Sequence, residues 1–276
     1  MNLLETITQL SHEFGTPAFV KGGGGNTSAK TAETLWVKPS GTTLAGLTPQ
    51  TFVALDRAKL AELYAVAIPP DSHARETLVK DMMAAAVKSG STGRPSVEAP
   101  LHDILTGAFV VHTHPTLVNG LTCARQGAAA CARLFPDALW IPYIDPGFTL
   151  CMDVRRRLRG QQLVLLENHG IFVAGDTAEE IRATYRRVLE ALRAEYAKAG
   201  IPTELKAGQI PATTAAISPD HMVYTNHPKL GPVMAADCAL IRQLADAFGG
   251  IQLLDERSQK FIREWEVEAY RQKQVA

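Results

Sequence analysis

Four consecutive glycines, Gly22–Gly25, set the first limit on what this chain can fold into. Such a run cannot lie inside a packed helix or strand. Each glycine loses more backbone freedom on ordering than any other residue and brings no side chain to a core. The segment must be a loop that uses positive φ or lets another group approach the backbone closely. It can also aim backbone N–H groups at an anion, with Asn26, Thr27 and Ser28 adding side-chain donors. It is not a Walker A loop, because no Gly-Lys-Ser/Thr follows. Nor is it a GxGxxG dinucleotide loop, since it lacks a clear preceding strand and a downstream acid.

Regular elements flank this loop. Leu3, Ile7, Leu10 and Phe14 form one helical stripe, with Asn2 as N-cap and Gly15 as the stop. Short strands are predicted at 35–37, 52–55 and 108–111, and a helix over about 73–88, followed by a Gly/Pro/Ser-rich loop. Residues 163–174 read as two apolar strands broken at Glu167-Asn168-His169-Gly170, a hairpin-like turn. Thr177 and Glu180 have capping-box spacing and open a helix carrying Ile181, Tyr185, Val188, Leu192 and Tyr196 on one face. Residues 201–220 read as a connector, and an amphipathic helix is expected around Phe261, Ile262 and Trp265. Because several strands are joined by short turns, a mixed or antiparallel sheet flanked by helices is predicted.

Composition excludes several function classes. Lys plus Arg (28) balances Asp plus Glu (28) over 276 residues, whereas a duplex-binding protein would carry a basic excess or cluster. The dense run Arg155, Arg156, Arg157, Arg159 reads as a solvated helix face, so no nucleic-acid partner is expected. No apolar stretch approaches a membrane span, and the N-terminal residues do not read as a signal peptide. The cysteines Cys123, Cys131, Cys151 and Cys238 form no CxxC pair, which fits reduced thiols in a cytoplasm.

The chemistry concentrates around three histidines. The strand Ala108–Val111 runs straight into His112-Thr113-His114-Pro115. Residues two apart on a strand point to the same face, so both imidazoles can reach one ion about 2 Å away. Pro115 then turns the chain and leaves the far side of the ion open. His169, at a backbone corner between Asn168 and Gly170, is the candidate third ligand. Three neutral nitrogens suit Zn²⁺, with Co²⁺ or Mn²⁺ as alternatives. His102 is either a competing ligand or a core histidine hydrogen-bonded beneath the site. Glu98, in the loop before the His112 strand, could complete the shell and also move a proton. The turn Lys38-Pro39-Ser40-Gly41, together with Ser96, offers a second anion cradle.

These motifs together resemble the class II aldolase/adducin family. The matching stretches are Gly22–Ser28, Lys38–Gly41, Arg94–His102, Val110–Pro115, Ile141–Tyr143 and Glu167–Gly170, in family order over roughly residues 3–200. The resemblance implies a three-layer α/β/α fold with a central, mostly antiparallel sheet. It implies an aldolase-like unit over 1–205, with 206–276 a helical extension packed on it. It makes His112, His114 and His169 the metal ligands, and Glu98 both an acid/base and a metal neighbour. Gly23, Asn26, Ser40, Gly41 and Ser96, with Lys38, become the substrate and phosphate pocket.

The implied reaction is reversible aldol cleavage of a ketose 1-phosphate to dihydroxyacetone phosphate and an aldehyde, by a homotetramer. The alternatives on this scaffold are a 4-epimerase and a decarboxylase of a 3-oxo-acid phosphate; a non-enzymatic adducin-like role is a more distant one. Two departures stand out. Val97 replaces a second hydroxyl residue before the glutamate. The segment Leu134–Pro142 is too short for the loop that carries a catalytic tyrosine in fuculose-phosphate aldolase, so the aldehyde-side proton donor is unassigned.

Overall fold

The computed structural model describes residues 2–67, 69–206 and 215–265. Helix α1 (Leu3–Phe14) starts at Asn2, the expected N-cap, which also forms a capping box with Glu5. Three strands follow: β1 (Asn26–Lys30), β2 (Thr34–Val37) and β3 (Val53–Asp56). Helices α2 (Arg57–Leu63), α3 (Ser72–Ala86) and α4 (Ala99–Ile104) lead to β4 (Phe109–Thr113). Helices α5 (Thr116–Thr122) and α6 (Gly127–Leu134) come next, followed by β5 (Leu139–Ile141) and α7 (Phe148–Arg157). The hairpin β6 (Leu163–Leu166) and β7 (Gly170–Gly175) feeds α8 (Ala178–Lys198), which opens on the Thr177–Glu180 capping box. Helices α9 (Pro219–Tyr224), α10 (Gly231–Ala245) and α11 (Glu256–Glu264) complete the described chain.

The seven strands form one sheet in the order β3-β2-β1-β4-β7-β6-β5. All neighbours are antiparallel except β5 and β6, which are parallel. Both faces are covered. Val111, Ile171 and Val173 pack with Ile7, Leu10 and Phe14 of α1 and Ile181, Tyr185 and Val188 of α8. Their strand neighbours Val110, Phe172 and Ala174 face the other way, onto Leu101 of α4 and Leu150 and Val154 of α7. Period-two alternation thus sends successive apolar residues into opposite layers, which explains why β4 and β7 are buried along their whole length. The predicted α/β/α architecture with a mostly antiparallel centre is what the chain adopts.

Two local expectations need correction. Asn26, Thr27 and Ser28 are not loop residues after the glycines; they begin β1, paired to β2 on one side and β4 on the other. The connector expected over 201–220 already contains the start of α9 at Pro219, while residues 207–214 lie outside the described part. Of the C-terminal helices, α10 shares the main core, while α9 and α11 pack in a smaller cluster around Val223, Tyr224, Met234 and Ile262. Leu244 and Ala245 of α10 belong to the cluster that holds α1 and α8. Helix α5 approaches α10 so closely that a Cβ on Gly120 would sit 2.5 Å from Leu244 Cβ. Among the described residues no helix is long and apolar enough to cross a membrane.

Candidate metal centre

The site lies where the start of β1, the end of β4 and the β6–β7 turn meet. His112 sits within β4, in register with Asn26 on β1 and Phe172 on β7. Its ring stacks on Phe172 at 3.9 Å between centroids. His114 lies just past the strand end, where its backbone N–H donates to Phe19 O at 2.8 Å. His169 is presented by the tight turn before β7, in which Asn168 adopts a left-handed φ of 52°. That turn is held by Asn168 Nδ2, which donates to Ile217 O and Gln252 O, both at 2.9 Å. Gly170 must be glycine here, because a Cβ would meet Thr113 O at 2.4 Å and His114 Cδ2 at 2.7 Å.

One nitrogen from each of His112, His114 and His169 lies within 4.8 Å of the others, and all three residues are buried. Outer hydrogen bonds define the tautomers of His112 and His114. His112 Nδ1 faces Ile171 O at 2.9 Å, and a carbonyl can only accept, so the proton is on Nδ1 and Nε2 presents its lone pair. His114 Nδ1 likewise faces the carboxylate oxygen Asp220 Oδ2 at 2.5 Å. The two Nε2 atoms then stand 2.9 Å apart. Two lone pairs that close repel each other unless a proton or a cation lies between them. Burial pushes the His169 imidazole down to about 3; Glu98 opposes this, while His114 and His112 reinforce it. It is therefore neutral and able to ligate at ordinary pH.

Glu98 caps the start of α4 and closes the site. Oε2 lies 3.6 Å from His112 Nε2, and Oε1 lies 3.6 Å from His169 Nε2. Asn26 Nδ2 donates to Oε2 at 2.5 Å, while buried Oε1 has no hydrogen-bond partner among the described residues. An orphaned carboxylate oxygen beside three clustered imidazoles fits a divalent cation, which would give all of them a partner at once. His102 takes no part in the cluster. It is fully buried, bonded through Nδ1 to Ser28 Oγ at 2.8 Å, and set edge-on to Phe172. Of its two readings, the core histidine beneath the site is the one observed.

Gly23, Asn26, Lys38, Ser40, Gly41 and Ser96 all line the same hollow as Glu98, His114 and His169. Two loops are zipped together to make it: Ser40 N donates to Arg94 O at 2.8 Å and Ser96 N to Lys38 O at 3.2 Å. Several of the anticipated anion donors have partners inside the protein. Gly23 N–H donates to the Tyr224 hydroxyl at 3.2 Å, Asn26 is bonded to Glu98, and Lys38 Nζ donates to Gly23 O at 3.3 Å. Ser96 Oγ accepts from Glu98 N at 3.2 Å. The sequence reasoning did not anticipate Asp220, Pro146 and Trp265, which also line the hollow. The one local signal for Asp220 is a Ser-Pro-Asp helix start, easily lost in a Pro-rich connector.

Three clustered histidines with a carboxylate, at one end of a mostly antiparallel sheet between two helical layers, make this an α/β protein with a candidate site for a divalent metal. The chain belongs to the class II aldolase family: the Class II Aldolase and Adducin N-terminal domain matches residues 5–196. Aldolases of this family depend on a divalent metal. A curated relative, the "Uncharacterized oxidoreductase YuxG" of Bacillus subtilis, is 34% identical over 170 residues, which is 57% of this chain and 24% of that protein. The chain therefore spans about a quarter of that relative's length. Among solved structures, the N-terminal class II aldolase domain of a conserved Thermoplasma acidophilum protein is 25% identical. It aligns with a TM-score of 0.63 over 70% of this chain and 93% of that one. An L-fuculose 1-phosphate aldolase shares the fold at a TM-score of 0.50 and 15% identity, covering 72% of this chain and 86% of its own.

Proposed function

We propose that the protein is a metal-dependent lyase that reversibly cleaves a ketose 1-phosphate into dihydroxyacetone phosphate and an aldehyde. The observation that carries this reading is Glu98. It is buried, held by Asn26 through one oxygen, and turned with its unpartnered oxygen toward His169. His112, His114 and His169 would hold the cation, with Glu98 beside it. Zn²⁺ suits three imidazoles, with Co²⁺ or Mn²⁺ as alternatives. A divalent ion there supplies Lewis-acid polarisation of a substrate carbonyl.

The protein's own groups then do the rest. When the C3–C4 bond breaks, its electron pair stays on C3 of the triose fragment and the C4 hydroxyl gives up its proton as the aldehyde forms; Glu98 takes up a proton in exchange and delivers it to C3. In the reverse direction Glu98 removes that proton. Asn26 keeps the carboxylate in one rotamer, so little reorientation is needed at the moment of transfer. Lys38, Ser40, Gly41 and Ser96, with Gly23, would anchor the phosphate end, and the burial of the hollow excludes bulk water. The four buried free cysteines support a cytoplasmic setting, and the family resemblance supports a homotetramer. It also supports residues 1–205 as the aldolase-like unit, with 206–276 packed upon it.

The test is incubation of the zinc-loaded protein with a panel of ketose 1-phosphates, trapping triose phosphate and aldehyde. Release of both fragments from one substrate establishes the lyase. Interconversion of C4 epimers without fragment release, or loss of CO₂ from a 3-oxo-acid phosphate, would replace it with one of the alternatives.

A further inference from the structure

Asp220 lies in α9, beyond the stretch that matches the family domain. It is 106 positions from His114 in the chain, yet its Oδ2 sits 2.5 Å from His114 Nδ1. We propose that the segment carrying α9 and α10 is a working part of the metal centre, with Asp220 as the positioning residue of His114. This rests on the reading of the three histidines as metal ligands.

The chemistry is specific. A carboxylate that accepts from Nδ1–H keeps the ring in the tautomer whose Nε2 lone pair points at the ion. It also pulls on that proton and so makes Nε2 a stronger electron-pair donor. Asp220 is 3% exposed, so its charge is costly to bury unless positive charge lies close by. A divalent cation held by the three histidines would add such charge.

The rest of the segment is built to hold this contact. Next along α9, His221 is bonded to Ser218 Oγ at 2.8 Å and lies 3.3 Å from Asp237 Oδ2 on α10. Asp237 Oδ1 in turn pairs with Lys21 Nζ at 2.7 Å, at the entrance to the glycine run. Lys21 also donates to Thr116 Oγ1 at 2.8 Å, on the helix that follows the His114 turn. A buried chain of polar contacts therefore ties α9 and α10 to the loop and turn that frame the metal ligands. The glycine run makes room for the pair it frames. A Cβ on Gly24 would lie 2.8 Å from Asp220 Oδ2 and 3.3 Å from His114 Nδ1. On this reading, one reason for glycine at position 24 is the Asp220–His114 contact.

The experiment measures Zn²⁺ affinity of the full chain by chelator competition, and the visible spectrum of the Co²⁺ form. Wild type, Asp220→Asn, Asp220→Ala and Val223→Ala are compared. Asn is isosteric and keeps an acceptor without the charge, Ala removes both, and Val223→Ala loosens α9 without touching the contact. The expected result is one ion per wild-type chain and a ~10- to ~100-fold loss of affinity in both Asp220 variants. Their cobalt bands should shift, metal-free melting of Asp220→Asn should match wild type, and Val223→Ala should bind normally. Unchanged affinity and spectrum in Asp220→Asn and Asp220→Ala would overturn the proposal while leaving the metal centre standing. So would an equal loss in Val223→Ala, which would make Asp220 a packing residue. A wild-type chain that binds no Zn²⁺ or Co²⁺ would instead remove the histidine reading itself.

Discussion

Asn26 separates two accounts of this site. From sequence it is a donor to a substrate phosphate, but in the structure its amide is committed to Glu98 Oε2 at 2.5 Å. Both residues are buried, at 6% and 7% exposure, so water cannot readily replace the bond if it is lost. In Asn26→Ala the carboxylate loses the side chain that orients it. A hydrogen bond to a charged group contributes about 1.5–3 kcal/mol. If that stabilisation is expressed in the transition state, at about 1.4 kcal/mol per tenfold, kcat falls ~10- to ~100-fold. KM for a phosphorylated substrate should change little, because the lost group held the acid/base and not the anchored end. The assay is steady-state kinetics on whichever ketose 1-phosphate the wild type cleaves, alongside its unphosphorylated counterpart. A variant with normal kcat and a raised KM for the phosphorylated substrate alone would refute the argument and return Asn26 to the anion.

Other outcomes follow from the same geometry. His112→Ala removes one of three nitrogens that converge within 4.8 Å, so the purified variant should lack the stoichiometric metal carried by wild type in elemental analysis. Glu98→Gln keeps the side chain's shape but not its basicity. Turnover should drop by at least ~10²-fold while the circular dichroism spectrum is unchanged, and near-normal turnover would make Glu98 a bystander. Metal-free protein should also be acid-sensitive well above the carboxylate range. Burial holds His169 at about 3 and pushes His102 well below its ordinary value, so at these two residues the unfolded chain binds more protons than the folded one below about pH 6.5. The resulting stability is intact at pH 7 and declines as pH falls. His169 alone accounts for roughly 2 kcal/mol by pH 5. Equal urea midpoints at pH 7 and 5 would contradict this.

The parts of the molecule legible in sequence are those whose determinants are local. The α1 stripe, the capping box at Thr177 and the apolar strand ending in His112-Thr113-His114 each carry their signal within a few residues. Strand β1 did not, because Asn26–Lys30 contains little that favours a strand by itself. It is stable in the middle of the sheet because its polar groups find distant partners. Thr27 bonds to Ser11, Ser28 to His102, and Lys30 Nζ to the carbonyls of His102 and Leu105. Helix α4 was hidden for a different reason: it is short and has proline near its start. That the histidines and Glu98 converge was legible from spacing and resemblance. Asp220 was not, since its meaning depends on a contact that only the folded chain creates.

The order of strands in the sheet has a consequence for the time at which the centre comes into being. Asn26 and Glu98 are 72 positions apart, His114 and Asp220 106, and β1 meets β4 only after three helices have been made between them. On a ribosome the His112–His114 pair would be the first of the histidines to emerge, as an incomplete two-nitrogen chelate, well before His169 and Asp220 were synthesised. Closing such long loops costs entropy that a half-built ligand set cannot offset. The ion proposed here is therefore expected to enter a finished scaffold and not to nucleate one. Which metal occupies the site would then be decided by a pocket already shaped, at the end of biogenesis.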